Sequence, residues 1–341
     1  MISLALIGYG HWGRHLARNL TDVPGARLAM VSDIRSEQLA AARERFPRVS
    51  TTADPAQVFA DPSVDAVAIA TPLSSHYPLA HAALLAGKHV LVEKPMTANS
   101  EEGARLTELA ARRRLVLMVN HVYAYAEPVR ALRALLRDGT IGKPYYYDSV
   151  RINLGRFQPD IDALWDLATH DLAILDRLFE EPPSAVSAVG AAHLSPAHMS
   201  IAYLTLFYPD RLLAHVHVNW LSPVKVRRII LGGSEGFAVI DELDRAEQVK
   251  IFDRLMASEL DKNATGDSRF DNRLGEMRSP KLPTVEPLST AVRHFARCIE
   301  DGTAPLTDGN AGLRVVRLLE MASRSLAASG RPVELSSVPP W

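Results

Sequence analysis

Hydrophobic residues fall in short runs separated by longer amphipathic stretches along the first 120 residues of the chain. The runs predict five strands, at residues 3–8, 27–33, 66–70, 89–93 and 115–120. The stretches between them carry apolar residues at helical spacing, so strands and helices alternate. Because the runs at 67–70 and 90–92 are apolar at every position, we expect parallel strands covered by helices on both faces. The pattern predicts a doubly wound parallel sheet.

From about residue 145 the hydrophobic period changes to two, which is typical of antiparallel strands. Strands are predicted at 185–193, 199–208, 211–220, 226–231, 236–241 and 248–252, and helices at 164–179, 287–300 and 311–328. Residues 256–285 are polar with weak periodicity, which predicts a long exposed loop. We therefore expect a first domain at 1–121 and an α+β domain at 122–341 with a large, mainly antiparallel open sheet. The closing helix at 311–328 can pack back on the first domain.

Composition and charge exclude several classes of protein. A chain of 341 residues exceeds the usual size of a single hydrophobic core, which favours two domains. Lys and Arg number 38 against 39 acidic residues, so the chain has no excess positive charge for a nucleic-acid partner. The single cysteine, Cys298, cannot form an internal disulfide, which favours a reducing, cytoplasmic location. No apolar run is long enough to predict a membrane span.

A glycine-rich turn follows the first predicted strand. Gly8, Gly10 and Gly13 form a G-x-G-x-x-G motif that opens a helix, the context in which this motif binds a dinucleotide pyrophosphate rather than marking an ordinary turn. Asp33 follows Gly13 by twenty residues, at the end of the second strand, where a carboxylate binds the ribose hydroxyls of NAD. Arg35 can accommodate the additional phosphate of NADP, or it is a solvated charge on a loop. The motif predicts NAD, with NADP possible.

Two further clusters carry candidate catalytic groups. Lys94 follows a parallel strand, at the sheet edge where ligands bind, and its ammonium can hydrogen-bond a reacting hydroxyl. The alternative is a surface lysine paired with Glu93. Asp166 and His170 lie four residues apart on a predicted helix, so they share a face on which a carboxylate can orient an imidazole as a base. The alternative is a structural hydrogen bond. Because no further His or Cys motif accompanies them, we predict no metal site.

Together these motifs resemble the glucose-fructose oxidoreductase, myo-inositol dehydrogenase and MocA (Gfo/Idh/MocA) family over nearly the whole chain. The resemblance rests on their order: the glycine-rich turn, then Glu93-Lys94-Pro95, then an aspartate and a histidine separated by three residues. It implies a Rossmann domain and makes Lys94, Asp166 and His170 the catalytic residues. In this assignment His170 is the general base, Lys94 assists at the hydroxyl, and Asp166 binds the substrate.

The resemblance also assigns binding residues. For the cofactor it implies Gly8, Gly10, His11, Trp12, Gly13, Asp33, Ile34, Thr71, Pro72, His76, Glu93, Lys94 and Asn120. For the substrate it implies Lys94, His121, Tyr123, Arg151, Asn153, Arg156, Trp165, Asp166 and His170. Ordinary packing is the alternative for His76 and Tyr123, and an exposed strand end is the alternative for Arg151 and Arg156.

The predicted activity is hydride transfer between NAD(P) and a secondary hydroxyl or ketone of a sugar-type substrate. Relatives with a similar R-x-N-L-G segment, here residues 151–155, act on nucleotide-linked sugars, which favours a nucleotide sugar or sugar phosphate, with a cyclitol also open. Two alternatives are a redox-neutral, NAD-dependent glycoside-cleaving enzyme and a dinucleotide-sensing binding protein without turnover. The broad second-domain sheet predicts a homodimer or homotetramer.

Overall fold

A computed structural model of the chain describes residues 1–155, 160–196, 198–244, 246–256 and 272–337. The chain divides into two compact units. The first contains Met1–Ala126, Gln158–Asp176 and Val285–Glu320, and the second contains Glu127–Phe157, Arg177–Thr284 and Met321–Trp341. The first unit therefore includes two segments that follow residue 121 in the sequence.

The first unit contains a six-stranded sheet in which every neighbouring pair is parallel. Its strands are β1 Ile2–Ile7, β2 Ala26–Ser32, β3 Ser50–Thr52, β4 Ala66–Ile69, β5 His89–Val92 and β6 Leu117–Val119. Its helices are α1 His11–Thr21, α2 Ser36–Arg45, α3 Pro55–Ala60, α4 His76–Leu85 and α5 Ser100–Arg113. The strand order β3-β2-β1-β4-β5-β6 confirms the predicted doubly wound sheet. The short strand β3 was not predicted, because its three residues are all polar.

Both faces of this sheet are buried, as the continuous apolar runs predicted. Leu4 and Leu6 lie in one hydrophobic core together with Phe295. Ala5 and Val67 lie in the core on the opposite face. Successive residues of a strand point to opposite faces of the sheet, so helices must cover both faces.

The second unit contains a nine-stranded sheet in the order β14-β13-β12-β11-β7-β10-β9-β8-β15. The helices that follow residue 126 are α6 Glu127–Arg137, α7 Thr169–Leu178, α8 Pro287–Asp301 and α9 Gly309–Ala327. Of these, α6 belongs to the second unit and α8 to the first, while α7 and α9 each begin in the first unit and end in the second. The strands are β7 Pro144–Leu154, β8 Ala185–Ala191, β9 Ile201–Phe207, β10 Leu213–Asn219, β11 Leu221–Gly233, β12 Gly236–Asp241, β13 Val249–Met256, β14 Asn272–Arg278 and β15 Val333–Glu334. Short 3-10 turns lie at Leu73–Ser75, Val122–Tyr125, Pro209–Arg211 and Leu335–Ser337. Only the central pair β7 and β10 is parallel, which confirms a mainly antiparallel sheet.

The prediction of a long loop over residues 256–285 is wrong for part of that range. Residues Asn272–Arg278 form β14, which pairs antiparallel with β13 from Ile251↔Arg278 to Met256↔Asn272. An edge strand needs only one neighbour and little apolar surface, so its sequence lacks a clear alternation. The part of the predicted loop between residues 257 and 271 lies outside the described residues.

The helix predicted near 164–179 begins with a π-helical turn. This turn covers Leu164–Ala168, and α7 continues from Thr169. Asp162 caps the start, because its carboxylate accepts the N–H of Trp165 at 2.9 Å. π-Helical turns are rare and recur at functional sites. Among the described helices, none is long and apolar enough to cross a membrane.

Candidate active site

The glycine-rich turn between β1 and α1 leaves the start of a helix open to a ligand. Gly8 has a φ of +93°, and a Cβ at this position would collide with the carbonyl oxygen of Ala70. A Cβ at Gly13 would collide with the carbonyl oxygen of Gly8. Gly10 is the N-cap of α1 and offers no side-chain hydrogen bond, so the first N–H groups of the helix remain available to a phosphate.

Asp33 lies at the end of β2 beside this turn and is only 5% exposed. Its carboxylate accepts the backbone N–H of Tyr9 at 2.7 Å and the backbone N–H of Arg35 at 2.9 Å. The guanidinium of Arg35 adds an ion pair at 3.1 Å. Burial alone would raise the pKa of Asp33, but the hydrogen bonds from Arg35 and Tyr9 outweigh it and lower the pKa. Asp33 is therefore a fixed anion, and Arg35 is its partner rather than an isolated loop charge.

A cleft of about 740 Å³, here called the glycine-turn cleft, runs along these residues. Its lining includes the predicted cofactor residues Gly8, Gly10, Asp33, Ile34, Thr71 and Pro72. Phe59, Pro78 and Leu79 add an apolar wall. The volume lies within the range of cofactor pockets, and an apolar wall with few polar groups suits an adenine ring.

A second cleft of about 380 Å³, here called the lysine cleft, continues from the first within the same unit. The two share the lining residues Ala70, Thr71, Pro72 and Asp160. The lysine cleft adds the predicted residues His11, Trp12, His76, Glu93, Lys94, Asn120, Tyr123, Asp166 and His170. The structure therefore brings together, in two contiguous clefts, most of the residues that the sequence motifs indicated.

Lys94 and Asp166 form the central contact of the lysine cleft. The ammonium of Lys94 lies 2.7 Å from a carboxylate oxygen of Asp166 and also donates to its backbone oxygen at 2.9 Å. Both side chains are more than four-fifths buried. This contact replaces the alternative in which Lys94 pairs with Glu93, and it fixes the ammonium where a ligand can approach it.

His170 lies one helical turn beyond Asp166 on the same wall. Its ring packs edge-on against Tyr123, with 4.7 Å between ring centroids. Both rings line the lysine cleft together with Lys94. An imidazole, an ammonium and a carboxylate therefore face one small cavity, the set that proton transfer from a hydroxyl requires.

Glu93 and Asn120 form the buried side of the lysine cleft. One carboxylate oxygen of Glu93 accepts the indole N–H of Trp12 and the amide N–H of Asn120, the latter at 2.5 Å. Burial raises the pKa of Glu93 to about 7. The side-chain amide oxygen of Asn120, Oδ1, is buried and has no hydrogen-bond partner among the described residues. It can accept a hydrogen bond from a ligand in the cleft.

Two buried histidines flank the cleft. His76 places its ring nitrogens 2.8 Å from the carbonyl oxygen of Pro95 and 2.9 Å from that of Thr71. His121 is 2% exposed, and burial followed by repulsion from Lys94 lowers its pKa to about 3. His121 is therefore neutral at pH 7. It does not line either cleft, so its assignment to substrate stays a prediction.

Three further predicted substrate residues are not among the residues that line either cleft. Arg151 is on β7 in the second unit, 2% exposed, and pairs with Glu242 at 3.1 Å. Asn153, on the same strand, accepts a hydrogen bond from Arg227. Trp165 packs against the hydrophobic core of the first unit. Arg156 lies outside the residues that the structure describes. Substrate contacts by these side chains stay predictions.

Asp160 is a site residue that the sequence motifs did not indicate. It lines both clefts, and its carboxylate accepts the backbone N–H of Leu73 at 3.1 Å. This contact joins two segments 87 residues apart. An isolated aspartate before a helix carries no sequence signal beyond that of a turn.

Comparisons with known proteins identify the family of this chain. A family model described as an oxidoreductase family with an NAD-binding Rossmann fold matches residues 2–121. A second, described as the GFO/IDH/MocA C-terminal domain, matches residues 129–239. The chain belongs to the Gfo/Idh/MocA family. This result confirms the predicted family, Rossmann domain and NAD cofactor, and it makes the chain an NAD-binding oxidoreductase.

Several relatives resemble this chain over most of its length. UDP-N-acetylglucosamine 3-dehydrogenase of Acidithiobacillus ferrooxidans is 33% identical over 243 residues, covering 70% of this chain and 74% of that enzyme. Its crystal structure superimposes with a TM-score of 0.80 and 26% identity, covering 96% of this chain and 98% of that one. An NAD(+)-dependent scyllo-inositol 2-dehydrogenase of Bacillus subtilis is 28% identical, covering 98% and 96% of the two chains. A related NADP(+)-dependent enzyme, IolW, from the same organism is 25% identical and covers 95% and 93%.

Proposed function

We propose that this protein is an NAD-dependent dehydrogenase that oxidises a secondary hydroxyl group of a sugar-type substrate, or reduces the corresponding ketone. The observation that carries this proposal is the convergence of Lys94, Asp166 and His170 on the lysine cleft, which is contiguous with the glycine-turn cleft. One cleft has the features of a dinucleotide site, and the other has the groups that move a proton.

The residues of the first unit fit NAD. The open N-terminus of α1 suits the pyrophosphate, and the buried carboxylate of Asp33 suits the ribose hydroxyls. The side-chain Oδ1 of Asn120, which has no partner among the described residues, suits an N–H donor such as the nicotinamide carboxamide. Bound NAD supplies an acceptor for the hydride that leaves the substrate carbon.

The chain's own residues handle the proton. His170 accepts the hydroxyl proton, since a neutral imidazole is a base suited to neutral pH. The Lys94 ammonium hydrogen-bonds the same oxygen and stabilises negative charge that develops on it. Asp166 holds Lys94 in place through the 2.7 Å contact and can also accept a hydrogen bond from the substrate. In ketone reduction the same groups return the proton.

The substrate class is narrowed by the relatives. One relative is named for a nucleotide sugar and two for the same cyclitol, scyllo-inositol, and both of these substrates carry adjacent secondary hydroxyls. We propose a nucleotide sugar or sugar phosphate first and a cyclitol second. The first choice draws on the R-x-N-L-G segment at 151–155 and on the higher identity to the nucleotide-sugar enzyme.

We also propose that the protein assembles as a homodimer or homotetramer through the nine-stranded sheet. One face of that sheet exposes large apolar side chains, among them Val189, Tyr203 and Leu213 at 52%, 40% and 45%. Exposed apolar side chains on one face of a sheet favour covering of that face by self-association. Light scattering coupled to gel filtration tests this, and a monomer at micromolar concentration contradicts it.

The function is tested by the absorbance of reduced nicotinamide during incubation with NAD and panels of free polyols, sugar phosphates and nucleotide sugars. We expect turnover with one panel, and loss of that turnover in Lys94→Ala and His170→Ala. The control is Arg112→Ala, because Arg112 pairs with Glu108 on the surface of α5 and both side chains are about two-thirds exposed. Retained turnover in both cleft variants contradicts the proposal.

A further inference from the structure

The side chain of Glu93 is a buried titratable group that the proposed proton transfer does not use. The residue is 8% exposed and lines the lysine cleft next to Lys94. One of its carboxylate oxygens accepts the indole N–H of Trp12 and the amide N–H of Asn120. The other accepts only a long hydrogen bond, at 3.3 Å, from the backbone N–H of Lys94.

No cation is bound directly to this carboxylate in the described structure. The ammonium of Lys94, its sequence neighbour, is paired with Asp166 instead. The two side-chain donors to Glu93 are neutral and contact the same oxygen, so they tolerate a carboxylic acid as well as a carboxylate. The geometry therefore permits both protonation states without rearrangement.

Burial decides how the two states are balanced. Removal of the carboxylate from water raises the pKa of Glu93 to about 7, against opposing contributions from Asn120, Lys94 and Trp12. Near neutral pH a substantial fraction of the molecules therefore carries an uncharged Glu93. A small change in the charge of the cleft is enough to shift this balance.

Reduction of NAD⁺ to NADH changes that charge. The nicotinamide ring is a cation in the oxidised cofactor and neutral in the reduced one, and the reacting end of the cofactor must reach the Lys94 end of the clefts. We propose that Glu93 compensates the charge of the nicotinamide ring, being ionised when oxidised cofactor is bound and protonated when reduced cofactor is bound. This inference rests on the proposed function, which places the ring in the lysine cleft.

The direction of the linkage follows from the charges. Binding of NAD⁺ to molecules with protonated Glu93 releases one proton to the solvent, so NAD⁺ affinity rises with pH through the titration of Glu93. Binding of NADH to molecules with ionised Glu93 takes up a proton instead. With half-protonation near pH 7, the dissociation constant for NAD⁺ is expected to fall about tenfold between pH 6 and pH 8. The phosphates of the cofactor stay ionised throughout this range.

Other titratable groups face the same cleft and have to be separated from Glu93. They are His11 from the start of α1, His76 from the start of α4, Lys94, Tyr123 from the 3-10 turn Val122–Tyr125, and Asp160, Asp166 and His170 from the segment that ends in α7. His121 lies behind them and is neutral, with a pKa of about 3. A histidinium at position 170 would also repel NAD⁺ at low pH, so a histidine variant is needed beside the glutamate variant.

The experiment measures NAD⁺ and NADH dissociation constants from pH 5.5 to 8.5 by calorimetry, in buffers of different ionisation enthalpy so that released protons are counted. It compares the intact protein with Glu93→Gln and His170→Asn. Glutamine keeps the oxygen that accepts from Trp12 and Asn120 but cannot ionise. Trp12→Phe is a fourth protein, in which the carboxyl remains and one of its stabilising donors is removed.

We expect proton release with NAD⁺ in the intact protein and in His170→Asn, and none in Glu93→Gln. In Trp12→Phe the midpoint of the pH dependence is expected to move to higher pH, because a lost donor destabilises the ionised form. This variant keeps the test valid if Glu93→Gln does not fold. Unchanged linkage in Glu93→Gln, or linkage lost only in His170→Asn, overturns the inference and leaves the proposed function standing. Absence of NAD⁺ binding in the intact protein overturns both.

Discussion

Cofactor choice is expected to depend on a single carboxylate, that of Asp33. The perturbation is Asp33→Asn, which preserves size and one acceptor but removes the charge. In the structure this carboxylate accepts the N–H groups of Tyr9 and Arg35 and pairs with the Arg35 guanidinium. The variant therefore changes two things at once: it weakens the acceptor for the ribose hydroxyls, and it releases Arg35.

The magnitude follows from these contacts. A hydrogen bond to a charged acceptor contributes about 1 kcal/mol more than one to a neutral acceptor. Two ribose hydroxyls then lose about 2 kcal/mol, which is roughly a 30-fold weaker NAD affinity. The Arg35 side chain is 49% exposed and can turn toward a 2′-phosphate at little cost. An exposed ion pair contributes up to about 1 kcal/mol, so NADP affinity is expected to rise about fivefold.

The assay is titration of NAD, NADP and their reduced forms, monitored by calorimetry, in four proteins. These are the intact protein, Asp33→Asn, Arg35→Ala and the double variant. We expect the NADP gain in Asp33→Asn to disappear in the double variant, because no guanidinium remains to bind the phosphate. An unchanged ratio of NAD to NADP affinity in Asp33→Asn would refute the assignment of this cleft to the adenosine ribose.

The same substitution has a stability consequence that serves as an internal check. The hydrogen bonds from Arg35 and Tyr9 lower the pKa of Asp33 below its ordinary value despite burial. A lowered folded-state pKa stabilises the fold above the ordinary pKa, and this contribution is lost as the pH falls below about 4. Urea unfolding at pH 7 and pH 3 is expected to show a smaller acid-induced loss of stability in Asp33→Asn than in the intact protein.

Three further variants test separate parts of the account. Gly8→Ala should lower the free energy of unfolding by more than about 2 kcal/mol, because a positive φ and a collision with the backbone of Ala70 act together. Gly87 has a φ of +77° and no neighbour within 4 Å of an added Cβ, so Gly87→Ala should lower it by about 1 kcal/mol. Equal losses in urea unfolding would refute the close contact between position 8 and Ala70. Lys94→Gln should reduce kcat about 10²–10⁴-fold with NAD affinity nearly unchanged. A kcat within tenfold of that of the intact enzyme would contradict a catalytic role for Lys94. Arg314→Ala should destabilise the fold by about 2–4 kcal/mol in urea unfolding, because Asp176 loses a two-point, partly buried ion pair. Arg112→Ala, which removes an exposed pair with Glu108, should change stability by less than about 1 kcal/mol, and a similar effect of both variants would contradict the argument from burial.

The fold of the first domain follows from local patterns in the sequence. Apolar runs such as β4 and β5 are long enough to be buried on both faces, and Gly8 satisfies a backbone conformation that other residues avoid. The helix α6 was missed although its apolar residues Val129, Leu132 and Leu135 follow a local helical spacing. Two of the missed strands, in contrast, owe their stability to distant partners. β3 is short and polar, and β14 exists through its pairing with β13.

The candidate site was predictable as a set of residues but not as a set of contacts. The glycine motif and Asp33 carry their own spacing signal, and the resemblance to a family supplied Lys94, Asp166 and His170. Neither indicates that Lys94 pairs with Asp166, 72 residues away, while Glu93 binds Trp12 and Asn120. Such contacts depend on how separate strands and helices meet, and no local pattern encodes that. The pKa of Glu93 also depends on these contacts.

The central claim, hydride transfer at the lysine cleft, is tested most directly by isotope transfer. The substrate selected by the panel is deuterated at the carbon that bears the reacting hydroxyl, and the reduced nicotinamide formed is analysed by mass spectrometry. The account predicts one deuterium in the reduced cofactor and a ketone product, with both signals lost in His170→Ala. Deuterium that returns to the sugar product without accumulation of reduced cofactor, or exchanges into water, would contradict net oxidation by this enzyme.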